Sequence, residues 1–209
     1  MRNSLHNIYY SIRVPFFISI LSVLFISFFI TDSGVWYDEI CSIYNSQKSL
    51  DDIKRYASWD TNPPFYNYLL HYWIKIFGIS EAGVRSMSIL FYGLSCGILF
   101  YLSERYFNFR TALFAVMLFI TSNELFYFAQ EARTYTLNVF FTFISTIIYF
   151  EFSKSKKWYW IILLGFVNYL AVYSHYLFAL LPVFQVLTQL IFRKWKSVIQ
   201  LSIGGIITL

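Results

Sequence analysis

The sequence predicts an all-α polytopic membrane protein, and three observations lead there. The 209 residues are 58% hydrophobic and 23% aromatic with 13% charged, far from the soluble average. The apolar residues fall in long blocks. About six of those blocks are long enough to cross a hydrocarbon core of roughly 30 Å as helices rising 1.5 Å per residue. The expected spans are 14–30, 84–102, 111–128, 135–152, 158–173 and 176–192.

The first span follows Arg2 and Arg13 like a signal peptide, but no small-x-small cleavage site comes after it and further spans do. It reads as a retained signal anchor. Residues 197–209 begin another apolar run of about 13 residues, too few for a crossing. The expectation is therefore the N-terminal part of a longer transmembrane domain, occupying 1–209. Cys41 sits in the first loop and Cys96 inside the second span, so a bridge would have to join two depths; both read as free packing residues.

Charge gives sidedness. With the N-terminus in the cytoplasm, the inner side collects Arg2, Arg13, Arg105, Arg110, Lys154, Lys156, Lys157, Arg193, Lys194 and Lys196, ten of the sixteen basic residues. The outer side collects Asp32, Asp38, Glu39, Asp51, Asp52, Asp60, Glu81, Glu124 and Glu131, nine of the eleven acids. Acids do not set topology, so their bias asks for another explanation. The net charge of +5 reflects orientation and gives no reason to invoke nucleic acid. Arg85, Arg133, Tyr135, His175 and Tyr176 also reach the outer interface, because spans begin or end beside them.

The external loop 31–83 is the one long hydrophilic segment. Ile40, Ile43 and Tyr44, then Phe65, Tyr68, Leu69, Tyr72, Trp73 and Ile76, repeat at helical spacing. Two amphipathic helices lying on the membrane surface fit both runs. Pro63-Pro64 suits the first turn of the second and Gly78 its stop. Asp38-Glu39 then opens one helix, while Asp60, Thr61 and Asn62 precede the other. Both helix N-termini offer backbone N–H groups to a phosphate; Asp60 or Asn62 equally serves as a plain N-cap. Asp32-Ser33-Gly34 is not an aspartic protease site, since that chemistry needs two carboxylates sharing a proton on a β-framework.

Trp36-Tyr37-Asp38-Glu39-Ile40, Asp60-Thr61-Asn62-Pro63-Pro64-Phe65-Tyr66, Phe77-Gly78-Ile79-Ser80-Glu81 with Arg85, Gln130-Glu131-Ala132-Arg133-Thr134-Tyr135, and Ser174-His175-Tyr176 occur in this order. Together the runs resemble the polytopic GT-C glycosyltransferases related to protein O-mannosyltransferases and the bacterial aminoarabinose transferase of lipid A. The resemblance implies a GT-C-like helix bundle that moves a sugar from a polyprenyl-phosphate carrier to a lipid, glycan or protein hydroxyl on the periplasmic side of the plasma membrane. It also implies that Asp38 is the catalytic carboxylate with Glu39 its adjacent acid. Family members commonly carry His before the double proline, where this chain has Asn62.

Such a transfer needs a base for the incoming hydroxyl and cations for the departing phosphate. Asp38 is the candidate base, its proton affinity raised by partial desolvation beside Trp36 and Tyr37. Glu39 faces away on a helix and orients a partner or binds a cation. Asp60, Arg85, Glu131, Arg133, Tyr135 and His175 are the candidate substrate and phosphate ligands. Arg133 offers a planar fork, and Glu131 and Tyr135 share a face at i, i+4. His71 has Asp38 and Asp60 as companions for a divalent cation, without a spacing that fixes a geometry. Two other functions fit a polytopic chain: a transporter or lipid flippase, and a non-catalytic assembly subunit. Transport expects ionisable groups at mid-span, where this chain has few.

Overall fold

The computed structural model describes residues 2–30, 34–59 and 62–208, with side chains over 12–30, 34–59 and 62–202. Every regular element among them is helical. The order is α1 (Arg2–Phe28), α2 (Tyr37–Ser46), α3 (Leu50–Ala57), α4 (Phe65–Phe77), α5 (Glu81–Tyr106), α6 (Phe109–Ile120), α7 (Asn123–Ala129), α8 (Tyr135–Ser155), α9 (Trp158–Ser174), a short 3-10 turn (Tyr176–Ala179), α10 (Leu180–Ile191) and α11 (Trp195–Thr208).

Each predicted span has a helical counterpart, but fewer reach full length. Among the described residues α5 and α8 are long and apolar enough to cross a membrane, and α6 with α7 makes a third if the bent pair counts as one. The apolar part of α1, Ile12–Phe28, and α9 each hold 17 residues, about 26 Å at 1.5 Å per residue. The expected third span is broken. α6 and α7 meet at 68°, because Thr121 bonds back to the Met117 carbonyl (2.8 Å) and Thr121, Ser122 and Asn123 favour caps over helix interior.

The chain forms two compact units, residues 1–53 with 66–140, and 54–65 with 141–209. In the first, α1 lies antiparallel on α5 through Gly93 and Gly97, a G-x-x-x-G pair. A Cβ on Gly97 would stand 2.6 Å from the Pro15 carbonyl oxygen, and one on Gly93 2.8 Å from that of Ser19. The absence of side chains lets the backbones close to van der Waals contact, the usual source of helix affinity in lipid. α1 accordingly turns Pro15, Ser19, Ser22 and Ile26 inward and leaves Phe16, Phe17, Leu24 and Phe28 exposed. Ile89, Tyr92, Cys96 and Phe100 of α5 complete the core with Ala112, Val116 and Ala129. Both cysteines are free, Cys96 buried and Cys41 half-buried.

The described residues of the 31–83 segment hold three helices where the periodicity predicts two. The additional helix is α3, which Ser49 caps: its hydroxyl accepts the Asp52 N–H (3.2 Å) and donates to the Asp52 carboxylate (2.7 Å). Pro63-Pro64 lies just ahead of α4 rather than in its first turn, and Gly78 ends the helix at φ +79°. No residue of either apolar run is buried. α2 buries Glu39, Ser42 and Ser46 and exposes Ile40 and Tyr44; α4 buries Tyr66, Leu70 and His71 and exposes Tyr72 and Ile76. Where lipid is as apolar as leucine, polar groups are what a helix gains by turning inward.

In the second unit a closed ring of hydrogen bonds joins α8, α9 and α10. Ser145 donates to Asn168 (2.6 Å), Asn168 to Gln185 (2.9 Å) and Gln185 back to Ser145 (2.7 Å). Gln189 extends it to Tyr149 (2.6 Å) and Ser153 (3.1 Å). Ser145, Asn168 and Gln185 each satisfy the next, which favours burying such groups among apolar helices, while Gln189 Oε1 is buried without a hydrogen bond among the described residues.

Candidate functional site

Glu39 organises the polar end of the first unit. It is the third residue of α2, and the Trp36 N–H donates to its Oε2 (3.2 Å), closing the first turn. The same carboxylate receives Arg85 from α5 as a fork, Nε to Oε1 at 3.0 Å and Nη2 to Oε2 at 2.8 Å. The Ala132 N–H from the α7–α8 connection adds a third direction, reaching Oε1 at 2.7 Å. One side chain thereby pins its own helix start to two segments 46 and 93 residues away in sequence. Both partners are buried, Glu39 fully and Arg85 to 2% exposure. Burial by itself would raise the Glu39 carboxyl, but Arg85 and the two N–H donors outweigh it and hold the group below the ordinary carboxylate range.

Arg85 has little left for a ligand. Its Nη1 pairs with Glu81 one turn earlier and Nη2 also donates to the Gly34 carbonyl (3.0 Å), in a turn where Gly34 takes φ +82°. The expected phosphate ligand is a buried structural cation. The expected partial desolvation of Asp38 is likewise not what the fold provides: in the first turn of α2 its carboxylate points outward and is 64% exposed. Glu39 does face away from it. Arg133 leans over this exposed acid, Nη2 to Oδ2 at 3.5 Å, while its Nη1 donates to the Asp38 carbonyl (3.3 Å) and the Ser42 hydroxyl (3.1 Å). Arg133 Nε is buried without a hydrogen bond among the described residues.

Glu131 is the second buried acid, 9% exposed. Burial raises its proton affinity and the Glu39 charge adds to that, while the Tyr127 hydroxyl, donating to the carboxylate, works the other way. Its expected i, i+4 relation with Tyr135 fails, because residues 131–134 form bends and α8 starts only at Tyr135. The partner is instead Tyr127, four residues back. Ser88 fixes the connection by donating to the Glu131 carbonyl at 2.5 Å. Tyr66 brings a buried phenol beside Ser88, and burial pushes it up. Its oxygen has no hydrogen bond among the described residues. Tyr135 lies with its ring 5.9 Å from the Arg133 guanidinium.

The remaining expectations divide. His175 belongs to the second unit, where its Nδ1 accepts the Leu177 N–H (3.2 Å) and caps the 3-10 turn. His71 is buried with Nδ1 at 2.8 Å from the Ser46 carbonyl, so that nitrogen is the donor. Asp60, Thr61 and Asp32 lie outside the described residues. Among the described residues no group of three His, Cys, Asp or Glu is placed to hold a metal ion. Ser42, Tyr66, Tyr127 and the Ala132 N–H were not anticipated. Ser42 could have been, one turn after Asp38; the others carry no local signal.

What the assembled end can do is hold an exposed carboxylate and a forked cation together over a rigid buried pair. It is suited to exchanging a proton at Asp38 and accommodating an anion at Arg133. Comparison with known proteins adds that residues 61–209 match the family model of dolichyl-phosphate-mannose-protein mannosyltransferase. That match takes in Arg85, Glu131, Arg133 and His175 but begins after Asp38 and Glu39. No curated protein and no solved structure matches the chain.

Proposed function

The chain belongs to the dolichyl-phosphate-mannose-protein mannosyltransferase family and is a membrane glycosyltransferase, and from that premise we propose that it moves a sugar from a polyprenyl-phosphate carrier to an acceptor hydroxyl on the outer, periplasmic face of the plasma membrane. The acceptor is a lipid, glycan or protein held at the same interface. The observation that carries this reading is the pairing of Asp38 with Arg133 at the exposed edge of a buried clamp.

Asp38 is the general base. Its carboxylate takes the acceptor proton as the acceptor oxygen bonds to the anomeric carbon of the sugar. The bond from that carbon to the carrier phosphate breaks, and its electron pair leaves on the phosphate oxygen. Arg133 meets the resulting charge with its planar fork, using the donors it now lends to Asp38 and Ser42. Asp38 then returns its proton to water. Glu39 and Arg85 act through position: they fix the N-terminus of α2 against the 131–133 connection, and so fix Asp38 against Arg133. A divalent cation bound at this end would find its contact in the exposed Asp38 carboxylate.

The orientation with the N-terminus in the cytoplasm follows from the basic residues of the inner loops. The test is transfer from a radiolabelled polyprenyl-phosphate sugar by protein in nanodiscs. Asp38→Asn is expected to abolish transfer while the protein inserts and folds; normal turnover in that variant would remove Asp38 as the base.

A further inference from the structure

On the surface of the first unit an open groove of about 250 Å³ runs between α1 and α5, which the transfer mechanism leaves unused. Pro15, Ser19 and Gly97 make its floor, and the Ser19 hydroxyl is spent on the Pro15 carbonyl at 3.1 Å. Phe16, Leu94 and Ile98 wall it, so the lining is almost wholly apolar. Tyr101 stands at the far end. There the charge changes: Arg105 Nη1 donates to the Tyr101 hydroxyl, and the guanidinium carbon lies 5.7 Å from the centre of that ring. Arg13 of α1, also exposed, falls at the same end because the two helices are antiparallel. The one neighbouring acid on α5, Glu104, lies about 100° round the helix from Arg105.

We propose that this groove binds an anionic phospholipid, one acyl chain lying along its floor and the phosphate at the Tyr101–Arg105 end. α5 is long and apolar enough to cross a membrane, so the medium against the groove is lipid. A lining without spare polar partners holds no water, and an acyl chain is the apolar rod that a bilayer supplies at that depth. The rim selects among lipids. A guanidinium carries five donors, more than one hydroxyl oxygen takes up, and basic residues at a membrane surface favour anionic headgroups over zwitterionic ones. A helix from a second copy would seek the small-residue face of α5, and α1 already occupies it at Gly93 and Gly97. The place is also not that of the sugar donor. Arg85 and Arg105 stand at opposite ends of α5, 20 residues and therefore about 30 Å apart, the thickness of a hydrocarbon core. The groove thus opens to the leaflet opposite the Asp38–Arg133 end.

The experiment reconstitutes the protein in nanodiscs of equal parts phosphatidylglycerol and phosphatidylcholine, extracts it in mild detergent, and identifies the retained lipid by native mass spectrometry. Wild type is expected to keep phosphatidylglycerol in preference to phosphatidylcholine. Arg105→Gln should cut that preference about fivefold, the order for one basic residue at an anionic surface. Lys154→Gln, an equal loss of charge in the last turn of α8 and outside the groove, should leave it unchanged. Ile98→Trp fills the groove and should lose both lipids. The proposal is overturned if wild type retains the two lipids equally, if Lys154→Gln costs as much as Arg105→Gln, or if the bound lipid survives Ile98→Trp in a folded protein. A dimer without retained lipid overturns it as well and gives the groove to a second copy. Should Ile98→Trp not fold, Phe16→Ala takes its place: it removes a wall that is 64% exposed, and loss of both lipids is again the expected result.

Discussion

Replacing Glu39 by Gln tests whether a buried charge at the centre of the site is structural. The native carboxylate accepts four hydrogen bonds, two from Arg85 and one each from the Ala132 and Trp36 N–H groups, at 2.7–3.2 Å. A glutamine of the same shape can keep Oε1 facing Arg85 Nε and Ala132. Its Nε2, however, then presents donors to Arg85 Nη2 and the Trp36 N–H, and Arg85 loses its main counter-charge while 2% exposed. Removing one partner of a buried pair typically costs about 3–5 kcal/mol. Because Arg85 keeps Glu81, the lower end applies, about 3 kcal/mol. The contrast is Asp38→Asn, which breaks a 3.5 Å pair to an acid that is 64% exposed; such pairs contribute about 1 kcal/mol or less. Denaturant unfolding of both variants in nanodiscs should therefore place Glu39→Gln far below Asp38→Asn in stability, though both lose transfer. A Glu39→Gln protein within about 0.5 kcal/mol of wild type, the ordinary range for surface changes, would refute the clamp.

Gly97→Ala should destabilise by about 1–3 kcal/mol through overpacking, because its Cβ meets the Pro15 backbone oxygen at 2.6 Å; an unchanged melting temperature would deny the close α1–α5 contact. Glu131→Gln should flatten the pH dependence of stability. The folded Glu131 pKa is raised, so its contribution is full below the unfolded value of about 4.3 and lost as pH rises through the folded value. Wild type should thus fall behind the variant as pH climbs from 4 to 7, and parallel curves would count against burial as the cause. Glu39 carries the opposite sign, its contribution present above about pH 4.3 and lost as pH falls through its depressed folded pKa. Arg133→Lys keeps the charge but not the fork, and should raise KM for the lipid-phosphate donor roughly tenfold with less effect on kcat; an unchanged KM would remove Arg133 from the phosphate.

The α-helical class was legible because block length and hydropathy are local. The caps of α3 and the G-x-x-x-G of α5 were equally written in the chain, as Ser49 to Asp52 and Gly93 to Gly97, but apolar periodicity alone passes over both. Periodicity also picked out the apolar runs of α2 and α4, none of whose residues is buried. It finds the apolar stripe, and a bilayer removes the reason for that stripe to face the protein.

The site divides in the same way. The sequence by itself determined that Asp38, Glu39, Arg85, Glu131 and Arg133 stand near helix ends, and their types fixed what chemistry they can do. Only the tertiary structure decided which carboxylate is buried and which is exposed. That choice depends on the Arg85 fork and the Ala132 N–H, 46 and 93 residues from Glu39. Two adjacent acids on one helix differ by about 100° in direction, so the packing of α5 and the 131–133 connection against one side made Glu39 a clamp and left Asp38 open to substrate.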